Sequence, residues 1–340
     1  MALERNWRGP LLANRGVDDT LHQFQEMEKK AAPKTLRNWR FQQALYRANY
    51  DAYIRSRLID ETAEEQEALG VLSQADSMSI DKAMAHATKI LDRADAPKPS
   101  EALRRRAEEL AEALFQSIGM QLSVDRYQAI EVGRGANLDE IDVPLNNRIW
   151  LKQRFAELEK LPDTKAKLHA IDEIIHWTDA GPGGFYDDLG DPARQPHLVA
   201  NGLYASDPGY LATPTIGFVS KPAWRRSWCN HVDGLYATPV RMHYDGLDID
   251  AAYKVRVVYA GDNVEAKVRL RAFGKGETPD TAAEIHPFQP KPQPVRPVEF
   301  EIPATITASG ELTLEWSANP ERGGAGRGCQ IAEVWLIKQR

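Results

Sequence analysis

Apolar residues change their spacing once along the chain. Up to about Trp177 they recur every three or four positions, the spacing that places them on one face of an α-helix. From about Val240 to Lys338 they recur at every second position between glycine- and proline-containing turns, as in strands with one buried face. This pattern predicts an α+β chain of two domains, an antiparallel helical bundle followed by an antiparallel β-sandwich.

We expect the helical bundle over residues 1–177 and the core of the sandwich over residues 240–340, with an alternative start of the sandwich near residue 185. The intervening residues 178–239 are rich in Gly, Pro, Asp and aromatic residues. A flexible linker is instead Ser-rich and poor in aromatic residues. We therefore expect ordered loops in this segment that pack on both domains.

The spacing of apolar residues in the helical part predicts about five helices joined by short connections. One long helix is expected to begin near Pro33, and it carries a stripe of aromatic residues that includes Tyr46, Tyr50 and Tyr53. Such a stripe either packs in a core or offers a platform to a sugar ring, and its spacing favours the core. Ser100 follows a proline-containing breaker and is expected to cap a strongly amphipathic third helix.

The β part contains at least six short segments in which apolar and polar residues alternate. The alternation is clearest in the segments that begin at Tyr253, Val268 and Leu312. Turns that contain Gly, Asp and Asn separate the segments, which favours a β-sandwich. The proline-rich run 287–297 lacks the backbone N–H groups of a central strand, so we expect it at a sheet edge or in a crossing loop.

Composition limits the function classes. The net charge of −6 argues against a protein whose main task is to bind nucleic acid, and no apolar run reaches the length of a membrane span. The N-terminal MALERNWRGPLL lacks the apolar core of a secretory signal, so we expect either a cytoplasmic protein or an extracellular or periplasmic fragment. Cys229 and Cys329 fit no zinc spacing, and free buried thiols are favoured over a single disulfide.

The loop segment also offers candidate metal ligands. Asp187, Asp188 and Asp191 are close enough in sequence to share a hard cation, and Ca²⁺ prefers oxygen ligands from such loops. Their spacing differs from that of an EF-hand. Aspartates that form turns or salt bridges are the alternative, which the general preference of Asp for turns favours.

Aromatic and planar cationic side chains are concentrated between Trp224 and Tyr236. Sugar rings stack on aromatic faces, and Arg donates paired hydrogen bonds to hydroxyls or carboxylates. A glycan-binding surface and a buried interdomain contact through Trp224 and Trp228 are two interpretations of this loop that stay equally open. Glycan recognition is the leading hypothesis for the function of the chain. The candidate ligand-binding residues are Trp224, Arg225, Trp228, Tyr236, Trp316, Arg322 and Arg327. For Trp316 the strand pattern favours a core position.

Two further functions stay open. A polysaccharide lyase or hydrolase would place Asn, His, Tyr and Arg near the junction of the two domains for acid–base work. The candidate catalytic residues are Asn146, His176, Tyr186, Arg194 and His197. No HExxH, GxSxG or CxxC motif accompanies them, which favours a protein without catalysis. A structural or protein-interaction segment of a larger protein is the third hypothesis.

The strand segments, in order, resemble a known family. They include YKVRVVY from Tyr253, VRLRAFG from Val268, GELTLEW from Gly310 and AEVWLI from Ala332. Over residues 185–338 this order is similar to the jelly-roll of galactose-binding-like domains and carbohydrate-binding modules. The resemblance implies a β-sandwich that binds a glycan or polysaccharide.

Many modules of this family hold a structural calcium between an early and the final strand. Carried over to this chain, the resemblance implies Asp187 or Asp188 together with Glu333 as ligands. The family more often has Asp at the position of Glu333. The whole chain is also similar to the C-terminal portion of large bacterial proteins in which a helical segment precedes such a sandwich, which implies further domains as partners.

Overall fold

The computed structural model describes residues 15–96, 98–131, 135–199, 215–219, 221–235, 238–319 and 327–339. Within this part of the chain, residues up to Ile175 form one compact unit and residues from His176 onward form another. The first, which we call the helical unit, contains helices, and the second, the sheet unit, contains antiparallel sheets. The predicted two-part α+β fold is therefore confirmed.

The helical unit contains six helices of more than ten residues among the residues described. They are α1 (Gly16–Lys30), α3 (Trp39–Leu72), α5 (Ile80–Leu91), α6 (Glu101–Ile118), α8 (Arg148–Leu158) and α9 (Thr164–Ile175). The single-turn helices are α2 (Pro33–Leu36), α4 (Ala75–Met78) and α7 (Val124–Tyr127), and 3-10 turns cover Asp92–Asp95 and Asn137–Glu140. None of the described helices is both long enough and apolar enough to cross a bilayer.

Helix α3 is the centre of this unit and packs against α1, α5 and α6. It begins after Asn38, whose side-chain oxygen accepts a hydrogen bond from the backbone N–H of Arg40 at 3.0 Å. Pro33 instead opens the separate helix α2, so the long helix begins at Trp39 rather than near Pro33. A local capping residue thus decides the start.

The aromatic stripe of α3 lies in the core. Tyr46, Tyr50 and Tyr53 are buried, as the core interpretation predicted. The hydroxyls of Tyr46 and Tyr50 donate to the side-chain and backbone oxygens of Asn137 at 2.7 and 2.9 Å. These bonds satisfy the polar ends of rings that are otherwise removed from water.

The sheet unit contains eleven strands among the described residues. They are β1 (Phe185–Asp188), β2 (Thr215–Phe218), β3 (Asn230–Leu235), β4 (Val240–Tyr244), β5 (Tyr253–Val258), β6 (Lys267–Phe273), β7 (Ala283–Pro290), β8 (Pro297–Ile302), β9 (Leu312–Ala318), β10 (Arg327–Ile331) and β11 (Glu333–Lys338). Two single-turn helices, α10 (Arg226–Cys229) and α11 (Ala304–Thr307), interrupt them.

Among the described residues, two four-stranded sheets form a sandwich. Their strand orders are β1-β11-β5-β8 and β4-β9-β6-β7, and a three-stranded sheet has the order β10-β3-β2. Alternate residues of the two larger sheets, including Val255, Val334, Leu270 and Leu314, join one buried cluster. The predicted antiparallel sandwich is confirmed, because this cluster is the apolar layer that such a pair of sheets encloses. The jelly-roll likeness stays a prediction.

The proline-rich run lies where the sequence predicts it. Its residues fall between and within β7 and β8, and each of these strands is at an edge of its sheet. An edge strand needs backbone donors on one side only, so proline is tolerated there.

Cys229 and Cys329 are both buried free thiols, as favoured from the sequence.

Candidate functional site

Strands β1 and β11 place a group of polar and aromatic side chains on one face of their sheet. Tyr186 pairs with Trp335, and Asp188 pairs with Glu333. Directly opposed residues of antiparallel strands project to the same face, and alternate residues of each strand share it. Val334, between Glu333 and Trp335, joins the sandwich core, so these four side chains lie on the opposite face of the sheet.

The carboxylate of Glu333 is the centre of this group and is fully buried. The Tyr186 hydroxyl donates to its Oε1 at 2.6 Å, and the indole N–H of Trp228 donates to its Oε2 at 2.7 Å. The indole N–H of Trp177 lies 3.1 Å from Oε2, and the guanidinium of Arg225 lies 3.5 Å from Oε1. A buried carboxylate requires such donors, because none of its hydration remains.

The rings around Glu333 also contact one another. Trp177 lies with its centroid 6.0 Å from that of Trp228 and 5.9 Å from that of Trp335, and Tyr186 lies 5.1 Å from Trp335. We call Trp177, Tyr186, Trp228, Glu333 and Trp335 the Glu333 cluster. Such tilted and edge-to-face contacts add to the burial of apolar area. The cluster is therefore held by both packing and hydrogen bonds.

The glycines before β1 bring Trp177 into the cluster. Gly181 and Gly183 have φ values of 77° and 74°, a backbone conformation that favours glycine. A Cβ atom at Gly184 would lie 2.5 Å from the carbonyl oxygen of Ala180. The chain can therefore turn tightly between Trp177 and β1, and the indole N–H of Trp335 donates to the Trp177 carbonyl at 3.0 Å.

Two arginines stack on the half-buried rings of the cluster. The guanidinium of Arg225 lies 5.2 Å from the ring centroid of Trp177, and that of Arg194 lies 5.4 Å from the ring centroid of Tyr186. Arg194 is exposed, whereas Trp228 and Trp335 are buried. The accessible rim of the cluster therefore combines aromatic and guanidinium groups.

Asp188 is a second buried carboxyl group, beside Glu333. Its pKa is raised to about 8, first by burial and then by the negative charge of Glu333. Asp188 is therefore predominantly protonated at neutral pH. Burial and the charge of Glu333 also hold the pKa of the Tyr186 hydroxyl well above its usual value of 10. Burial raises the pKa of Asp191.

Asp187 faces the other side of β1. Its carboxylate oxygens lie 3.0 and 2.9 Å from Nδ1 of His197, and the Tyr244 hydroxyl donates to it at 3.3 Å. The rings of His197 and Tyr244 are stacked with centroids 4.5 Å apart. Asp187 thus orients a structural histidine at the margin of the sandwich core.

These contacts bear on the predicted calcium ligands Asp187, Asp188, Asp191 and Glu333. Asp187 and Asp188 project to opposite faces of β1, and the oxygens of Glu333 already accept hydrogen bonds. In the part of the chain that the structure describes, no group of three His, Cys, Asp or Glu side chains is arranged to hold a metal ion. The arrangement does not fit one shared cation, and calcium stays a prediction.

The candidate catalytic residues of the sheet unit do not converge. Tyr186 and Arg194 lie together, but His197 lies on the other face of β1 with Asp187. His176 is exposed at the start of the unit. Asn146 belongs to the helical unit, where it is buried and its amide donates to the Glu61 carbonyl at 2.8 Å. Within the sheet unit, Tyr186 and Arg194 are thus in contact, and His197 has a different set of partners.

The candidate ligand-binding tryptophans differ in exposure. Trp228 is 5% exposed and Trp316 is 0% exposed, and the indole N–H of Trp316 donates to the Tyr259 hydroxyl at 2.9 Å. Neither ring offers an open face in this structure. Trp316 lies in the sandwich core, as its strand pattern favours, whereas Trp228 is bonded to Glu333 within the sheet unit. Trp224 is half-buried. Tyr236, Arg322 and the side chain of Arg327 lie outside the described residues.

Three contributing residues were not predicted as functional. Arg226 is buried and donates to the carbonyl oxygens of Lys221, Pro222 and Trp224, so it holds the loop that carries Trp224 and Arg225. Trp177 lies at the end of the range in which apolar spacing predicts helices, but α9 ends at Ile175. Trp335 is two residues after Glu333 on β11, so its side chain projects to the same face of the strand. This spacing is the sequence signal that could have identified Trp335 as part of the site.

Comparisons with known proteins give little further information. No family model matches the chain, and no curated protein matches it. Among solved structures it is similar to one reported as a novel family GH115 4-O-methyl-α-glucuronidase with specificity for decorated arabinogalactans, at 11% identity and a TM-score of 0.24 over 94% of this chain. The chain spans 42% of the length of that structure. Similarity at this level does not define a shared fold and adds nothing to the geometry.

Proposed function

We propose that the sheet unit is a glycan-binding module without catalysis and that its ligand contacts the rim of the Glu333 cluster. The observation that carries the proposal is that the half-buried rings of Trp177 and Tyr186 are hydrogen-bonded to one buried carboxylate, and each has a guanidinium stacked on it. Sugars have C–H faces that stack on such rings and hydroxyls that accept from guanidinium groups.

Preorganisation supports binding at this rim. The rings of Trp177 and Tyr186 are already ordered by Glu333, so a ligand does not have to immobilise them. The loop that carries Trp224 and Arg225 is likewise held by the buried guanidinium of Arg226. Trp224 is half-buried in that loop and adds an aromatic surface beside Arg225.

Burial favours binding over cleavage of a glycan. Glycoside hydrolysis commonly uses two carboxyl groups that flank the scissile bond. Asp188 and Glu333 are the adjacent carboxyl pair of this site, but they are 4% and 0% exposed. A sugar at the rim would not reach them without a rearrangement of the rings above them. The arrangement therefore supports recognition rather than hydrolysis.

The test is a glycan-array screen of the full chain, followed by calorimetric titration of the best ligand. We expect saturable binding that weakens about tenfold in Arg194→Ala and in Trp224→Ala, because each removes one contact group from the rim. Arg296→Ala is the matched control, since Arg296 is exposed and distant in sequence from these residues. The titration is repeated with a chelator to test the calcium prediction.

Absence of binding across acidic and neutral glycans would overturn the proposal. Equal weakening by Arg296→Ala would also overturn it, because the effect would then be one of general charge. Circular dichroism of each variant shows whether the fold is retained, and the exposed position of Arg194 makes a folding defect unexpected for that variant.

A further inference from the structure

The helical unit contains a cavity of about 420 Å³ that the sequence did not indicate. Its wall is formed by α3, the 3-10 turn Asp92–Asp95, the first residues of α6, and the residues Asp142 and Arg148. A cavity of this volume is within the usual range for small-molecule sites. It belongs to the helical unit alone and is independent of the Glu333 cluster.

The cations of the wall are already engaged by carboxylates. Arg148 lies 2.8 Å from Glu61, and Arg104 lies 2.7 Å from Asp142. Lys98 lies 2.6 Å from Glu64. Arg57 is paired with Glu61 as well and donates to the carbonyl oxygen of Ile141 at 2.6 Å. These donors are therefore committed to the protein and are poorly placed to bind an anion.

Acceptor groups of the wall are less engaged. The carboxylate of Asp60 is 3.8 Å from the ammonium group of Lys98 and forms no hydrogen bond with any described residue. The carboxylate of Glu101, which also lines the cavity, likewise forms no hydrogen bond with any described residue. Ser100 is 7% exposed, and its hydroxyl has no partner within the described chain. Ser100 occupies the N-cap position of α6, as predicted, but its side chain accepts no capping hydrogen bond. A buried hydroxyl without a partner is unfavourable unless a ligand or water bonds to it.

The net charge of the side chains that line the cavity is negative, like that of the carboxylates Asp60 and Glu101. The lining contains four cationic side chains and five carboxylates, an excess of one negative charge. A positively charged ligand with N–H donors would complement both the charge and the open acceptors of this wall. Among the described residues, the carboxylates here are not arranged as a metal site.

We propose that this cavity binds a small linear organic cation with two or more ammonium groups, a diamine or polyamine. Its ammonium groups bond to Asp60 and Glu101, and one N–H donor satisfies the hydroxyl of Ser100. Each contact pairs a side chain that has no hydrogen-bond partner among the described residues with a donor of the ligand. Lys98 and Arg104 remain in their ion pairs with Glu64 and Asp142.

The experiment is calorimetric titration of the full chain with putrescine and spermidine, with butanediol as the uncharged analogue of putrescine. The variant Asp60→Asn/Glu101→Gln removes two charges without breaking a hydrogen bond of the described protein. The matched control Asp76→Asn/Asp81→Asn removes two exposed charges of the same unit that lie outside the cavity lining. A third variant, Ser100→Ala, tests the hydroxyl.

We expect saturable binding of the amines, no binding of butanediol, and a loss of about tenfold or more in affinity for Asp60→Asn/Glu101→Gln only. Ser100→Ala should weaken binding by a smaller factor. Absence of amine binding, equal binding of butanediol, or equal losses in the two double variants would each overturn the proposal. Circular dichroism verifies that the double variants remain helical.

Discussion

Asp188 and Glu333 occupy directly opposed positions on the paired strands β1 and β11, and both carboxyl groups are buried. Opposed side chains on antiparallel strands have Cβ atoms roughly 5 Å apart, so two negative charges here would repel strongly. Protonation of Asp188 removes this repulsion, while Glu333 is surrounded by donors from Trp177, Tyr186 and Trp228.

This relationship predicts a pH dependence of stability. The pKa of Asp188 is about 8 in the folded protein against an ordinary 3.8, so the folded state binds the extra proton between these values. The contribution of Asp188 to stability is therefore greatest below about pH 4 and is lost as pH rises to about 8. We expect Asp188→Asn to gain stability relative to wild type by on the order of 1 kcal/mol per pH unit between pH 5 and pH 8. Urea unfolding at several pH values measures this, with the exposed Asp250→Asn as control. A difference that does not change with pH would contradict it.

The bond from Tyr186 to Glu333 should contribute strongly to stability. Tyr186→Phe removes a donor at 2.6 Å from a buried carboxylate, and we expect a loss of about 1.5–3 kcal/mol in the free energy of unfolding. Tyr253→Phe is the control in the same unit, because the Tyr253 hydroxyl accepts only a neutral backbone N–H at 2.9 Å. Its loss should be about 1 kcal/mol. Denaturant titration of the two variants measures both losses in the free energy of unfolding. Equal losses would contradict a special role of the bond to Glu333.

Another buried carboxylate, Glu315, lies on the opposite sheet between two arginines. Its oxygens pair with Arg241 at 2.7 Å and with Arg271, and its side chain is 2% exposed. We expect Glu315→Gln to lower the free energy of unfolding by about 3 kcal/mol, because both guanidinium groups lose their charged partner. Glu299 also pairs with two cations, Lys254 and Arg256, but it is more exposed, so Glu299→Gln should cost less than about 1 kcal/mol. Similar unfolding midpoints for the two variants would contradict this ranking.

The two tryptophans Trp316 and Trp224 should separate stability from binding. Trp316 is fully buried and bonded to Tyr259, so Trp316→Phe should lower stability by about 2 kcal/mol and leave the glycan affinity of the folded protein unchanged. Trp224→Ala should have the reverse effect, with weaker glycan binding and a small change in Tm. Thermal unfolding and titration on the same preparations test the pair. A loss of affinity in Trp316→Phe would contradict the core assignment.

The thiols should be unreactive in the folded protein. Cys229 and Cys329 are both buried and free, and burial raises the pKa of the Cys329 thiol. We expect neither to react with a thiol reagent at pH 8 until denaturant is added, after which both should react. Rapid reaction in the native state would show that the unit opens locally.

The types of the elements follow from local periodicity, and therefore the sequence predicts them well. The tyrosine stripe of α3 and the alternation of β5, β6 and β9 each describe which side chains of one element are buried. Their boundaries are less certain, because a single residue such as Asn38 decides where a helix begins. The burial of the outer face of β11 is harder to predict. Alternation alone places Glu333 on the polar face of the strand, where side chains are usually solvated.

By itself, the sequence determined that helices precede strands, that the proline-rich run lies at sheet edges, and that the stripe of Tyr46, Tyr50 and Tyr53 is buried. Only the tertiary structure decided that Trp177, Tyr186 and Trp228 converge on Glu333, across separations of 156, 147 and 105 residues. The physical reason is that periodicity records the two faces of each strand. Which strand pairs with which, and which side chains pack on the outer face of a strand, depend on contacts between residues far apart in sequence. No local pattern of residues records those contacts.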